Sequence, residues 1–91
     1  MPVYEERFRE DMARASADAV STWANAPGDL YAPHSHPYRK VLCCLEGSIV
    51  FHVPTGDVRL GPGDRIEIEP GSRHSASVGP DGVRCAEAHF G

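Results

Sequence analysis

Past residue 20 this chain is never allowed to run far in one regular conformation. Gly28, Gly47, Gly56, the Gly61-Pro62-Gly63 triplet, Pro70-Gly71 and Gly79-Pro80 interrupt it at short intervals. Glycine and proline at such positions end helices and strands and set tight turns. The runs left between them read as strands at residues 20–24, 38–45, 49–53, 58–60, 65–69, 74–78 and 83–90. Glu46, Gly47 and Ser48 read as the turn closing the second run, and Gly79 to Gly82 as the turn before the last. In 65–69, Arg65, Glu67 and Glu69 alternate with Ile66 and Ile68, the period-two pattern of a half-buried strand. At Gly63-Asp64 a tight turn is expected, with the Asp64 side chain bonded to nearby backbone. No interval has room for the crossover helices that parallel strands require. The expectation is therefore an all-β sandwich or barrel over residues 21–91, and closure into a barrel would also remove exposed sheet edges.

Residues 1–20 differ in character. Phe8, Met12, Ala15 and Ala19 recur at helical spacing, with Glu5, Glu6, Arg9 and Asp18 on much of the remaining surface. That pattern predicts a short amphipathic helix over 4–19, with Pro2 just ahead of it. So short a helix has little stability alone and should lie across the sheet or a partner subunit. With 91 residues the chain makes one domain. A domain this small buries only about 60–68% of its unfolded surface, so a homodimer is expected.

Charge excludes some functions. Thirteen acidic residues against nine basic ones give a net charge of -4, and the counterion-release attraction that drives nucleic-acid binding needs a basic footprint. Neither nucleic acid nor a membrane is an expected partner. No apolar run approaches the roughly 20 residues of a membrane span, and the acidic start is unlike a secretory signal, so a cytoplasmic location is expected. Cys43, Cys44 and Cys85 form no CxxC pattern and sit in apolar runs. They read as buried thiols.

Five histidines carry the chemistry. His34 and His36 flank Ser35, a spacing that turns both imidazoles to one side of an extended strand, with Tyr38 and Lys40 following on that side. Imidazole is the commonest metal ligand, and two converging rings already make half of a tetrahedral site. His52 follows Phe51 and should face outward if Ile49, Phe51 and Val53 face inward. His89 shares its parity with Val83, Cys85 and Glu87 on the last strand. There a carboxylate such as Glu87 can orient a ligand histidine through its distal nitrogen. Trp23 and Tyr38 are aromatic bulk for a small core, or contacts for a substrate.

The wider spacing is more specific. Gly28, five residues, His34, one residue, His36, three residues, Lys40, six residues, Gly47 resembles the first signature motif of the cupin superfamily at every interval. The segment from Gly63 to His74 resembles the second. The resemblance implies a small single-domain cupin, an all-β barrel or jelly roll, in which His34, His36 and His74 are ligands to one divalent metal ion, zinc, iron, nickel or copper. It also marks departures: Lys40 stands where the family has a glutamate ligand, Val78 where it has an asparagine, and Glu69 where it has a proline.

Lys40 is the departure with chemical consequences. An ammonium adds to an ion's charge where a carboxylate would offset it, so Lys40 has three readings: facing solvent or pairing with Glu46, Glu67, Glu69 or Glu87, holding an anionic substrate group or acting as a base, or replacing the metal. Three imidazoles leave the rest of a coordination shell open to water and substrate, as a catalytic metal site requires. The expected function is therefore metal binding, with dioxygenase-like, isomerase or hydrolytic chemistry on a small oxygen-bearing molecule. Lys40, Tyr38 and Glu87 are the candidate catalytic groups. The competing expectation is a cupin that binds or senses a small ligand without turnover.

Overall fold

In the computed structural model, which describes residues 3–91, helix α1 (Val3–Arg14) precedes six antiparallel strands. They are β1 (Ser21–Asn25), β2 (Leu30–His34), β3 (Arg39–Val53), β4 (Gly56–Leu60), β5 (Arg65–Ile68) and β6 (His74–Phe90). Pro2 lies outside the described residues. Two long strands organise the rest. The first half of β3 pairs with β5 and with the last half of β6, and that half of β6 pairs with β1. The second half of β3 pairs with β4 and with the start of β6, which pairs with β2. Two four-stranded layers thus share β3 and β6, which bend from one layer into the other and close a small jelly roll.

Those bends correct two expected turns. Residues 38–45 and 49–53 are one strand, as are 74–78 and 83–90, because register shifts at Cys44/Glu46 and Gly47/Ile49 let the chain turn a corner without leaving the ladder. Gly47 makes this possible: its φ is +76°, and a Cβ there would lie 2.0 Å from the Gly82 carbonyl oxygen. Strand β2 lies outside the runs that read as strands and extends the His34 stretch backward to Leu30, because Ala32-Pro33 breaks the apolar alternation on which strand reading depends. The Gly63-Asp64 turn forms as expected, with the Gly61 amide donating to Asp64 Oδ2 at 2.9 Å.

Inside the jelly roll Leu42, Cys44, Ile49, Phe51, Leu60, Ile68, Val83 and Cys85 pack into one cluster. On the outside of the first layer a second cluster joins Phe8 and Met12 of the helix to Val41, Cys43, Leu45, Ala86 and Ala88. The helix is shorter than its apolar pattern. Ser16, at φ 61°, takes the left-handed conformation; its amide donates to Ala13 O and that of Ala17 to Met12 O. This paired bonding caps a helix C-terminus and stops it. Ala15 and Ala19 therefore do not extend the stripe. The Asp18 amide instead donates to His89 O and ties the segment to β6.

Candidate metal centre

His34 ends β2, His74 opens β6, and the two are register partners. His36 follows in the connection to β3. Between Tyr31 and His34 the register shifts, so two side chains an odd number of residues apart both turn inward, which simple alternation forbids. The three imidazoles meet with ring centroids 4.4 Å apart for His34 and His74, 4.8 Å for His34 and His36, and 5.3 Å for His36 and His74. One nitrogen from each lies within 4.8 Å of the others.

Hydrogen bonds decide which nitrogens are free. His34 Nδ1 lies 2.8 Å from the Ala32 carbonyl oxygen and His74 Nδ1 lies 2.9 Å from that of Ser72. A carbonyl can only accept, so Nδ1 carries the hydrogen in both rings and Nε2 of each neutral ring keeps its lone pair. In His36, Nδ1 lies 3.4 Å from the Tyr38 hydroxyl, whereas Nε2 is buried with no hydrogen-bond partner among the described residues. Buried polar atoms are rarely left so. Three imidazoles, two with Nε2 lone pairs and the third with an unpartnered Nε2, suit zinc, iron, nickel or copper in ligand type. A tetrahedral ion with nitrogen bonds of about 2.1 Å needs nitrogens about 3.4 Å apart, and the three here lie within 4.8 Å of one another.

Burial pushes His36 below the ordinary imidazole range, and the Lys40 charge and the other two rings act in the same direction. Burial also lowers His74, against the upward pull of its bond to the Ser72 carbonyl. Both effects favour the neutral, lone-pair-bearing form.

Beside the histidines opens a cavity of about 160 Å³. His34, His74, Lys40 and Glu87 make its polar wall, and Trp23, Leu42, Phe51 and Ala76 much of its apolar one. Lys40 thus enters the cavity and also pairs with one of the expected carboxylates, its Nζ lying 3.6 Å from Glu87 Oε1. Trp23 Nε1 donates to Glu87 Oε1 and His89 Nε2 to Glu87 Oε2, each at 2.7 Å. Burial opposes the Glu87 charge, but the His89 bond, the Lys40 ammonium and the indole together hold its carboxyl below the ordinary range. Tyr38 stacks between His36 and His89, at centroid distances of 5.1 and 4.3 Å.

His52 takes no part. It bonds Asp57 and Ser77 on the outer surface, as its alternation with Phe51 implies. Tyr31, which lines the cavity and donates to Asn25 Oδ1, was missed because β2 was missed. The cysteines are buried and free, and burial pushes the Cys85 thiol up to about 12. No helix among the described residues is long and apolar enough to cross a membrane.

A family model described as Cupin domain matches residues 22–84, more than half of the chain. No curated protein matches it. Among solved structures it is similar to the DMSP lyase DddQ from Ruegeria pomeroyi, with a TM-score of 0.75 and 24% identity over 80% of this chain and 38% of that one. A protein of unknown function from Rhizobium leguminosarum matches with a TM-score of 0.73 and 20% identity over 78% of this chain and 67% of that one. An uncharacterized protein with a double-stranded beta-helix domain from Klebsiella pneumoniae matches with a TM-score of 0.68 and 26% identity, over 77% and 64% of the respective chains. The chain spans well under half the length of the lyase, and at these identities the likeness speaks for the fold.

Proposed function

The chain belongs to the Cupin domain family, and from that premise we propose that it is a small metal-binding cupin. In this reading His34, His36 and His74 hold one divalent transition-metal ion at the edge of the cavity and present it to a small oxygen-bearing molecule. One observation carries the proposal: the buried, unpartnered Nε2 of His36 beside two rings whose Nδ1 atoms are already committed to carbonyls. A bound ion would act as a Lewis acid, polarising a substrate oxygen or activating a bound water.

The chain's own groups have defined parts in that reading. The Ala32 and Ser72 carbonyls fix the tautomers of His34 and His74. Tyr38 holds the plane of His36 by stacking, with its hydroxyl 3.4 Å from Nδ1. Trp23, Leu42 and Phe51 keep bulk water off the apolar side of the cavity. Lys40 and Glu87 set the charge facing the ligand.

A second reading, binding without turnover, has a specific observation in its favour. Both Glu87 oxygens accept hydrogen bonds and Lys40 lies beside one of them, which stabilises the carboxylate and makes it a weak base toward a substrate. Metal retention is common to both readings and is tested first. Wild-type protein loaded with zinc or iron(II) and desalted should keep about one ion per chain by elemental analysis, and His34→Ala, His36→Ala and His74→Ala should each keep less than about a tenth of that. Equal retention by all three variants would sink the site.

A further inference from the structure

The Lys40 ammonium lines the cavity and makes one ion pair there, with Glu87. Its side chain is only 12% exposed, its nearest carboxylate oxygen is 3.6 Å away, and it donates no hydrogen bond among the described residues. An ammonium has three donors, and a single ion pair at 3.6 Å leaves it able to donate to a further acceptor in the cavity. Glu87 cannot swing over to supply one, because Trp23 holds Oε1 and His89 holds Oε2. Charge points the same way once an ion is bound: Lys40 and Glu87 offset each other, and a divalent ion would leave the cavity net positive.

We propose that the cavity takes a small organic monocarboxylate, its carboxylate accepting hydrogen bonds from Lys40 Nζ and its hydrocarbon part lying against Trp23, Leu42 and Phe51. Size follows from volume. A cavity of about 160 Å³ is close to one that encloses benzene, so the ligand has about six to eight non-hydrogen atoms. The walls argue against phosphate, which seeks several donors and carries more negative charge towards Glu87, whereas a monocarboxylate matches one ammonium and uses the apolar wall. This deepens the metal-site reading and rests on it for a second ligand oxygen at the ion; the Lys40 contact does not need the ion.

Calorimetric titration with sodium butyrate, and with butyramide as the uncharged control of the same shape, tests the proposal. Both are titrated into zinc-loaded and metal-free protein at pH 7, wild type and Lys40→Met, with zinc content measured on every sample. Wild type should bind butyrate at least tenfold more tightly than butyramide when zinc-loaded, and should keep a smaller preference for butyrate without metal. Lys40→Met should lose that preference while retaining zinc, and Lys40→Arg should keep it. Equal affinity of the wild type for the two probes, no binding of butyrate, tighter binding of inorganic phosphate than of butyrate, or an unchanged preference in a folded Lys40→Met would overturn the proposal. The wild-type comparison stands even if Lys40→Met does not fold. Zinc content near zero in the loaded wild type overturns the metal reading instead, and the metal-free titration still judges the Lys40 contact.

Discussion

The first half of β3 buries both of its faces, and the two are built for different ends. Val41, Cys43 and Leu45 point outward and are sealed by Phe8 and Met12 of the helix into a dry, wholly apolar layer. Lys40, Leu42 and Cys44 point inward, where Leu42 and Cys44 join the interior cluster but Lys40 and Leu42 also border a cavity with four polar side chains. Strand β6 repeats the contrast: Ala86 and Ala88 meet the helix, while Cys85 belongs to the interior cluster and Glu87 faces the cavity. One pair of strands therefore separates stability from function by parity alone. The helix-covered face can be packed tightly because nothing has to enter it; the inner face gives up packing to keep a polar opening.

The largest expected effect breaks the sealed face. Phe8 is fully buried, and Phe8→Ala removes a large aromatic contact and leaves a cavity beneath the helix. A loss of about 3–5 kcal/mol in unfolding free energy is expected by denaturant titration. Protein that remains folded should keep its metal. Loss of metal from the folded variant would show that the two faces are coupled rather than separate.

Glu87 tests the inner face, where a polar group and not an apolar one is expected to matter. Glu87→Gln keeps the shape but removes the charge that faces Lys40 and His89, at a cost of about 2 kcal/mol at pH 7. Because the folded-state pKa of Glu87 lies below its unfolded value, its stabilisation is complete above the ordinary carboxylate range and is lost as pH falls through the folded value. Metal-free wild type should thus lose stability on acidification below about pH 4.5, and Glu87→Gln should show a shallower acid slope. Parallel slopes would mean that the carboxylate is equally comfortable folded and unfolded.

How far the sequence discloses this molecule follows the same division. Turn residues and the alternation at 65–69 were enough for an all-β fold, while the jelly roll and the joining of His74 to His34 and His36 came from the resemblance to the cupin motifs. Irregular backbone was less legible. The bends of β3 and β6 are shifts within continuous ladders, and a glycine such as Gly47 reads alike whether it ends a strand or bulges it. The shift between Tyr31 and His34 likewise puts both side chains inside against simple parity. Lys40 could be narrowed to four carboxylate partners, but choosing Glu87 needs the β3–β6 register that sets Leu42 opposite it.

The smallest effect sharpens the comparison from the sealed side, at the residue that ends the helix against its apolar pattern. Ser16 holds a left-handed φ of 61°, a conformation that costs a residue with a Cβ about 1 kcal/mol and costs glycine almost nothing. Ser16→Gly relieves that strain but adds freedom to the unfolded chain, which returns part of the gain. A net stabilisation of about 0.5 kcal/mol is expected, visible as a small rise in Tm. The Ser16 and Ala17 amides would still bond Ala13 and Met12, so the helix should keep its length and its seat on Val41 and Ala86. Since the gain arises wholly outside the jelly roll, zinc retention and the preference for butyrate over butyramide should be unchanged. A change in either would mean that the helix cap is felt across β3, and that alternation alone does not insulate the cavity from the layer that covers it.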